Sequence, residues 1–225
     1  MSSEPEPVID RPESLTNVVY DAIRRLIITQ SLAPGARVSE NMLAQRLQVS
    51  KTPVREAVLR LAHAGLVIAD GKRGARVPEL SAERLAAAYE FREGVEAQTA
   101  KLAAAKAGQK ARETMRGAAA ACMAAARSGD MQGFQEHDRA FHLAVADAAN
   151  NSYLRGCVED AYDLVWTLRL RDSPASGDVV YTAGEHEMIL GAIIDGREDA
   201  ARGLMSTHIR NVQAFVLGAM AGSGT

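Results

Sequence analysis

The sequence predicts a mainly helical protein in two parts, a small N-terminal unit ending in a β-hairpin and a larger antiparallel bundle of six helices. Three observations predict it. Apolar residues recur at the helical period from Leu15 to Ile27, and again after Ser39 and after Ser50. The stretch from Val67 to Val77 instead carries two short apolar runs around the turn Asp70-Gly71-Lys72-Arg73-Gly74. From Ser81 onward, turn signals at Gly108, Ser128-Gly129-Asp130, Asn150-Asn151, Ser173 to Asp178 and Asp195-Gly196 cut an otherwise helical chain into six segments.

Residues 1–12 are acidic, contain proline and have no apolar run, so they read as a disordered tail and not as a signal peptide. The first unit spans residues 13–79. Its first helix, Ser14 to Ile28, has the stripe Leu15, Val18, Val19, Ala22, Ile23, Leu26 and Ile27, and Pro34-Gly35 breaks the chain after it. Ser39 caps a short helix with Leu43, Ala44 and Leu47 inward. Gln48 and Val49 make a sharp turn, Ser50 can cap the next helix, and Pro53 is tolerated in its first turn, where its missing N–H would have no partner.

That third helix runs to about Ala64 with Val54, Ala57, Val58 and Leu61 inward, which leaves Lys51, Thr52 and Arg55 on its outer, N-terminal face. Two short helices, a sharp turn and a β-ribbon are the layout of a winged helix-turn-helix. In that layout the second helix enters the major groove, where cations reach guanine edges and hydroxyls such as those of Ser50 and Thr52 hold phosphates. At the hairpin tip, Lys72 and Arg73 suit phosphate contact, or keep a strand edge soluble.

Charge divides along the chain in the same sense. The total is −2, but residues 1–79 hold eleven Lys+Arg against nine Asp+Glu, three of those acids in the tail, and the remainder holds fifteen against nineteen. A basic head on a mildly acidic second unit fits DNA contact by the first. Cys122 and Cys157 have no metal spacing and read as reduced thiols. The longest apolar tract, Ala118 to Ala126, is far short of the ~20 residues of a membrane span. The expected location is the cytoplasm.

The second unit, residues 80–225, is read as helices at 81–107, 109–128, 131–149, 152–172, 180–195 and 197–220, packed antiparallel. Asp138 and His142 lie four apart on one helix face, His186 is early in the next-to-last helix and His208 is in the middle of the last. Three helices can thus aim three imidazoles and a carboxylate at one point, a donor set for zinc, nickel, manganese or iron. Each residue alone also fits an ordinary hydrogen-bonded position, as do His63 and His137, while Phe141 reads as core.

Ser50-Lys51-Thr52-Pro53-Val54-Arg55-Glu56-Ala57-Val58-Leu59-Arg60-Leu61 followed by Gly65-Leu66-Val67 resembles the recognition helix of GntR-type bacterial transcription regulators. The likeness runs back through Pro34-Gly35 and Leu43-Ala44 and forward through Gly71 to Val77. By position, Lys51, Thr52 and Arg55 fall on the family's DNA-contacting residues and Gly71 on the wing tip. Lys51 stands where relatives mostly carry Arg, and Asn41 where many carry an Arg that contacts DNA.

In the second unit, Asp138-Arg139-Ala140-Phe141-His142, Asn151-Ser152-Tyr153-Leu154, Glu185-His186 and His208 resemble the FCD effector domain of the FadR-type branch. That resemblance implies a divalent metal, zinc foremost, on Asp138, His142, His186 and His208. It also implies a small organic acid as effector and the helical unit as a homodimer interface. Arg92, beside Tyr89 and Glu96, is the candidate to pair with the acid, its alternative being an i, i+4 ion pair with Glu96. Tyr162, Trp166 and Arg169 are candidates to line the pocket.

The function expected is a ligand-responsive repressor or activator that binds an inverted repeat of double-stranded DNA as a homodimer, since one reading face supplies few base contacts. Two alternatives stand beside it. One is a metal-dependent hydrolase or lyase with an accessory DNA-binding head and Glu185 as a weak base; the other is an architectural DNA binder whose bundle only dimerises.

Overall fold

The computed structural model describes residues 14–70, 74–79, 81–168 and 178–222. The chain divides after Pro78 into two compact units. In the first, α1 (Leu15–Ile28) starts at Ser14, whose side chain accepts from the Asn17 N–H. β1 (Arg37–Val38), α2 (Glu40–Leu47), α3 (Lys51–His63), β2 (Ile68–Ala69) and β3 (Ala75–Arg76) follow. Antiparallel pairing places β3 between β1 and β2, with Arg76 opposite both Arg37 and Ile68. The expected hairpin is therefore a three-stranded sheet. β1 is two residues long, too short to show a period of two, and exists because β3 has a free edge to offer.

The core joins Ile23 and Ile27 of α1 to Leu43 of α2, Val54 and Leu61 of α3, and Leu66 beyond it. Only part of the broad α1 stripe is inside: Leu15 and Val18 are 53% and 48% exposed, because the covered line is Val19, Ile23 and Ile27. Two polar links fasten α1 to α3, Thr16 Oγ1 donating to Glu56 Oε2 at 2.7 Å and Arg60 Nη1 to Asn17 Oδ1 at 2.8 Å. The α2–α3 turn closes with Gln48 in the left-handed region (φ 55°, ψ 43°) and the Val49 N–H on the Ala44 carbonyl at 3.0 Å.

The second unit comprises α4 (Ala82–Lys106), α5 (Gln109–Ser128), α6 (Met131–Ala148), α7 (Ser152–Thr167), α8 (Val179–Ile194) and α9 (Glu198–Gly222). Their starts are set by short polar caps. Ser81, Asp130, Asn151 and Asp178 each accept from N–H groups of the following first turn, and Gly129 and Gly196 adopt the positive φ that ends α5 and α8. Of the helix expected over 152–172, residues 169–172 lie outside the described residues. Cys122 is buried and Cys157 half-buried, both as thiols.

α4 packs chiefly on α9 and α5 on α6, around a core that includes Leu85, Tyr89, Met115, Phe141, Ile189 and Ile209. Within that interior lie Arg92, Glu96, His142, Glu185, His186 and His208, all buried. The Asp130 cap matters because α6 carries His142 of this polar set. Its carboxylate accepts from the Gly133 N–H at 2.9 Å. Asp130→Ala is expected to cost about 0.5–2 kcal/mol, read as a lower urea midpoint at unchanged slope.

Candidate metal centre and nucleic-acid face

Four side chains from three helices converge in the bundle. α6 supplies Asp138 and His142 one turn apart, α8 supplies His186 and α9 supplies His208, and one donor atom from each lies within 4.8 Å of every other. Asp138 Oδ1 is 3.4 Å from His186 Nε2 and 3.8 Å from His142 Nε2, and His142 Nε2 is 3.3 Å from His208 Nε2. All three Nε2 atoms therefore face one small volume. The rings are 0–1% exposed.

Each ring is held from behind. His142 Nδ1 meets Glu96 Oε2, and His208 Nδ1 meets Glu185 Oε2 at 2.9 Å. His186 is oriented by a ring, stacking on Phe141 at 4.3 Å between centroids with 22° between planes. Asp138 receives the Tyr162 hydroxyl on Oδ2 at 2.6 Å, leaving Oδ1 to face the imidazoles. Neither nitrogen of His186 has a hydrogen-bond partner among the described residues. A buried polar group left so costs about 1–3 kcal/mol, which a ligand at Nε2 would relieve.

Charge fits a dication too. Asp138, Glu96 and Glu185 bring three formal negative charges and Arg92 one positive, an excess of two. Burial, then His208, His142 and Arg92, hold the His186 pKa well below its ordinary 6.5, and burial also lowers that of His208 against the pull of Glu185. Both rings are neutral at neutral pH and need shed no proton to bind an ion. Burial would raise the Glu96 carboxyl, but Arg92 and His142 outweigh it and bring its pKa to about 2. These residues fit a divalent metal: three imidazoles, one carboxylate and oriented rings are the makings of a zinc-type site.

Arg92 is 3% exposed and pairs through Nε with Glu96 Oε1 at 2.5 Å, the i, i+4 alternative weighed from the sequence. It also faces the cluster. Its guanidinium sits 4.7 Å over the Tyr162 ring, its Nη2 has no hydrogen-bond partner among the described residues, and it lines a cavity with Gln135, Asp138, Trp166, Thr182 and His208. That cavity of about 10 Å³ has room for about one water. Arg169 lies outside the described residues.

The sequence reading named Glu96 as the ion-pair partner of Arg92, Glu185 as a weak base and Tyr162 as pocket lining, but missed that they hold His142, His208 and Asp138. Glu185 is no free base: its second oxygen accepts from Asn211 Nδ2 at 2.6 Å. The signal that could have found Glu96 is its register, since it continues the buried line Leu85, Tyr89, Arg92 along α4. A charged pair on a helix's inner stripe needs buried partners.

In the head, Lys51, Thr52 and Arg55 are exposed on one face of α3 while Pro53, Val54, Ala57 and Val58 are buried. Ser50 occupies the N-cap position but makes no side-chain cap bond, contrary to its expected role, so its hydroxyl is left to other acceptors or donors. Arg60 is drawn back over the Tyr20 ring at 4.4 Å and onto Asn17. The wing-tip residues Gly71, Lys72 and Arg73 lie outside the described residues.

Comparison with known proteins agrees with both units. Residues 15–77 match the gntR family of bacterial regulatory proteins, and residues 87–211 match the FCD domain. The chain belongs to the GntR family. It is a DNA-binding transcription regulator with an FCD effector domain, and its relatives are regulators, not enzymes. It is 33% identical to an uncharacterized HTH-type transcriptional regulator in an unstable DNA locus of Streptomyces ambofaciens, covering 86% of this chain and 81% of that protein.

It is 31% identical to a probable D-xylose utilization operon transcriptional repressor of Paenarthrobacter nicotinovorans, covering 87% and 86%. Among solved structures, E. coli McbR/YncC shares the fold with a TM-score of 0.77 at 22% identity, over 93% of this chain and all of that one. No helix among the described residues of this GntR regulator is long and apolar enough to cross a membrane.

Proposed function

We propose that this GntR regulator binds an inverted-repeat operator as a homodimer, and that a small carboxylate metabolite controls it at a metal held by Asp138, His142, His186 and His208. The observation that carries the reading is the convergence of four buried donor atoms within 4.8 Å, with two of the rings backed by carboxylates. Zinc suits the set best; nickel, manganese and iron accept the same donors. The ion supplies a positive centre that attracts an acid's oxygen.

Arg92 completes the anion site, because its unpartnered Nη2 borders the cavity beside Asp138. The cavity's size is part of the reading. An organic acid needs more room than one water, so binding shifts the helices that line it, and that shift biases the DNA-competent population. Ser50, Lys51, Thr52 and Arg55 read the operator, with Gly71, Lys72 and Arg73 of the wing beside them. Repression is the favoured direction, because the Paenarthrobacter relative is named a repressor, and binding of the acid is read as relieving it. The place of action is the cytoplasm, where the DNA is.

The test uses an operator selected from a randomised DNA pool, with a mobility shift run against a panel of small organic acids. At least one acid is expected to change the affinity of the zinc-loaded protein and to have no effect after chelation. Sequence-specific binding that no acid alters, or that an acid alters equally in chelator, would overturn the metal-effector reading. A loss of all specific binding would overturn the operator reading.

A further inference from the structure

The two carboxylates behind the histidines differ in their other partner. Glu185 spends its second oxygen on the neutral amide of Asn211, and Glu96 spends its second oxygen on the guanidinium of Arg92. Glu96 thus accepts from Arg92 Nε–H on one oxygen and meets His142 Nδ1 with the other. An ionised carboxylate can only accept, so a proton must sit on His142 Nδ1, and when the ring carries a single proton its lone pair is on Nε2. Nε2 is the atom 3.3 Å from His208 Nε2 and 3.8 Å from Asp138 Oδ1, facing the cluster.

Arg92 has a part in this that distance alone would not suggest. A guanidinium always donates, so one acceptor position behind His142 is permanently claimed. We propose that the buried Arg92–Glu96 pair is a tautomer lock: it obliges His142 to present a bare Nε2 to the metal, making Glu96 and Arg92 positioning residues for metal binding. The inference rests on the metal reading above and deepens it. Glu96 Oε2 is the atom that meets His142 Nδ1.

The lock makes a prediction that a merely structural ion pair does not. Glu96→Gln leaves one oxygen in place of the two that meet Arg92 and His142 separately, and Arg92 cannot give up its proton, so the oxygen goes to Arg92. The amide NH2 then faces His142 Nδ1, which must turn acceptor, moving the ring proton to Nε2 where it blocks the ion. In the double variant Arg92→Met with Glu96→Gln, the amide is released to flip and accept from Nδ1–H again.

The experiment measures zinc affinity by competition with a chromophoric chelator, and the His142 tautomer by nitrogen-15 NMR of the metal-free protein. The wild type is expected to carry the His142 proton on Nδ1. Glu96→Gln should bind zinc about 10–100-fold more weakly, as loss of an outer partner commonly does. The double variant should recover most of that loss.

The double variant replaces a buried ion pair by neutral groups, so it keeps the test alive if the single variant fails to fold. A wild-type proton on Nε2, an unchanged zinc affinity in Glu96→Gln, or an equal loss in both variants overturns the lock. A wild type that binds no zinc overturns instead the metal reading on which it stands.

Discussion

His186→Leu is expected to make the protein more stable in chelator and less stable in zinc than the wild type. His186 is 0% exposed and both of its nitrogens lack a hydrogen-bond partner among the described residues. Replacing an unsatisfied buried polar group with an apolar one of similar size removes a penalty of about 1–3 kcal/mol. Leucine keeps contact with Phe141 but gives up ring stacking worth about 0.5–1.5 kcal/mol, so the net gain is about 1 kcal/mol.

With zinc the sign reverses. A ligand a thousand-fold above its Kd stabilises the folded state by about 4 kcal/mol, and a site reduced to Asp138, His142 and His208 forfeits most of it. Urea titrations of both proteins, in EDTA and in excess zinc, should therefore give midpoints that exchange order. If zinc raises both midpoints alike, His186 is not a ligand. The same change at His142 or His208 lacks this signature, because each leaves a buried carboxylate, Glu96 or Glu185, without its imidazole.

The contrast between these rings shows which parts of the molecule the sequence disclosed. Helix limits were legible where a polar cap or a left-handed glycine stands at the boundary, as at Ser81, Asp130, Gly129 and Gly196. The four metal-site candidates were legible because histidines are few, Asp138 lies four residues before one of them, and the helices that carry them face one another. Their supports were not. Glu96 four residues after Arg92 looks like any surface ion pair, and only packing puts its other oxygen on a histidine 46 positions away.

β1 escaped for a related reason: a strand of two residues carries no pattern of its own and is defined by its partner in β3. At Leu15 and Val18 the stripe was read too broadly, since periodicity marks which residues share a face but not how much of that face another helix covers. Ser50 was misread at a finer scale. A serine in the N-cap position with extended backbone (φ −68°, ψ 164°) satisfies the sequence rule, yet its hydroxyl makes no bond to the helix.

In the head, the exposed face of α3 carries the second large expected effect. Arg55→Ala leaves the inward residues Val54, Ala57 and Leu61 untouched, so the head should unfold as before. A cation that reads a base is worth about 1–3 kcal/mol, and a dimer on two half-sites presents it twice, giving a loss of about 2–6 kcal/mol at the operator. Binding to unrelated DNA should fall far less. Lys51→Ala separates the two kinds of contact: a lysine on a phosphate lowers affinity evenly across sequences and reduces the salt slope by about one per head.

Titrations against operator and scrambled duplex at 50 and 200 mM salt, values chosen because phosphate contacts dominate that interval, measure both effects. Lys51→Arg is the informative converse: a planar fork should sharpen discrimination if position 51 reaches a base edge, and leave it unchanged if it holds a phosphate. Arg55→Ala with unchanged operator affinity would remove that residue from the interface. Equal losses on operator and scrambled DNA would reassign it from base reading to phosphate contact.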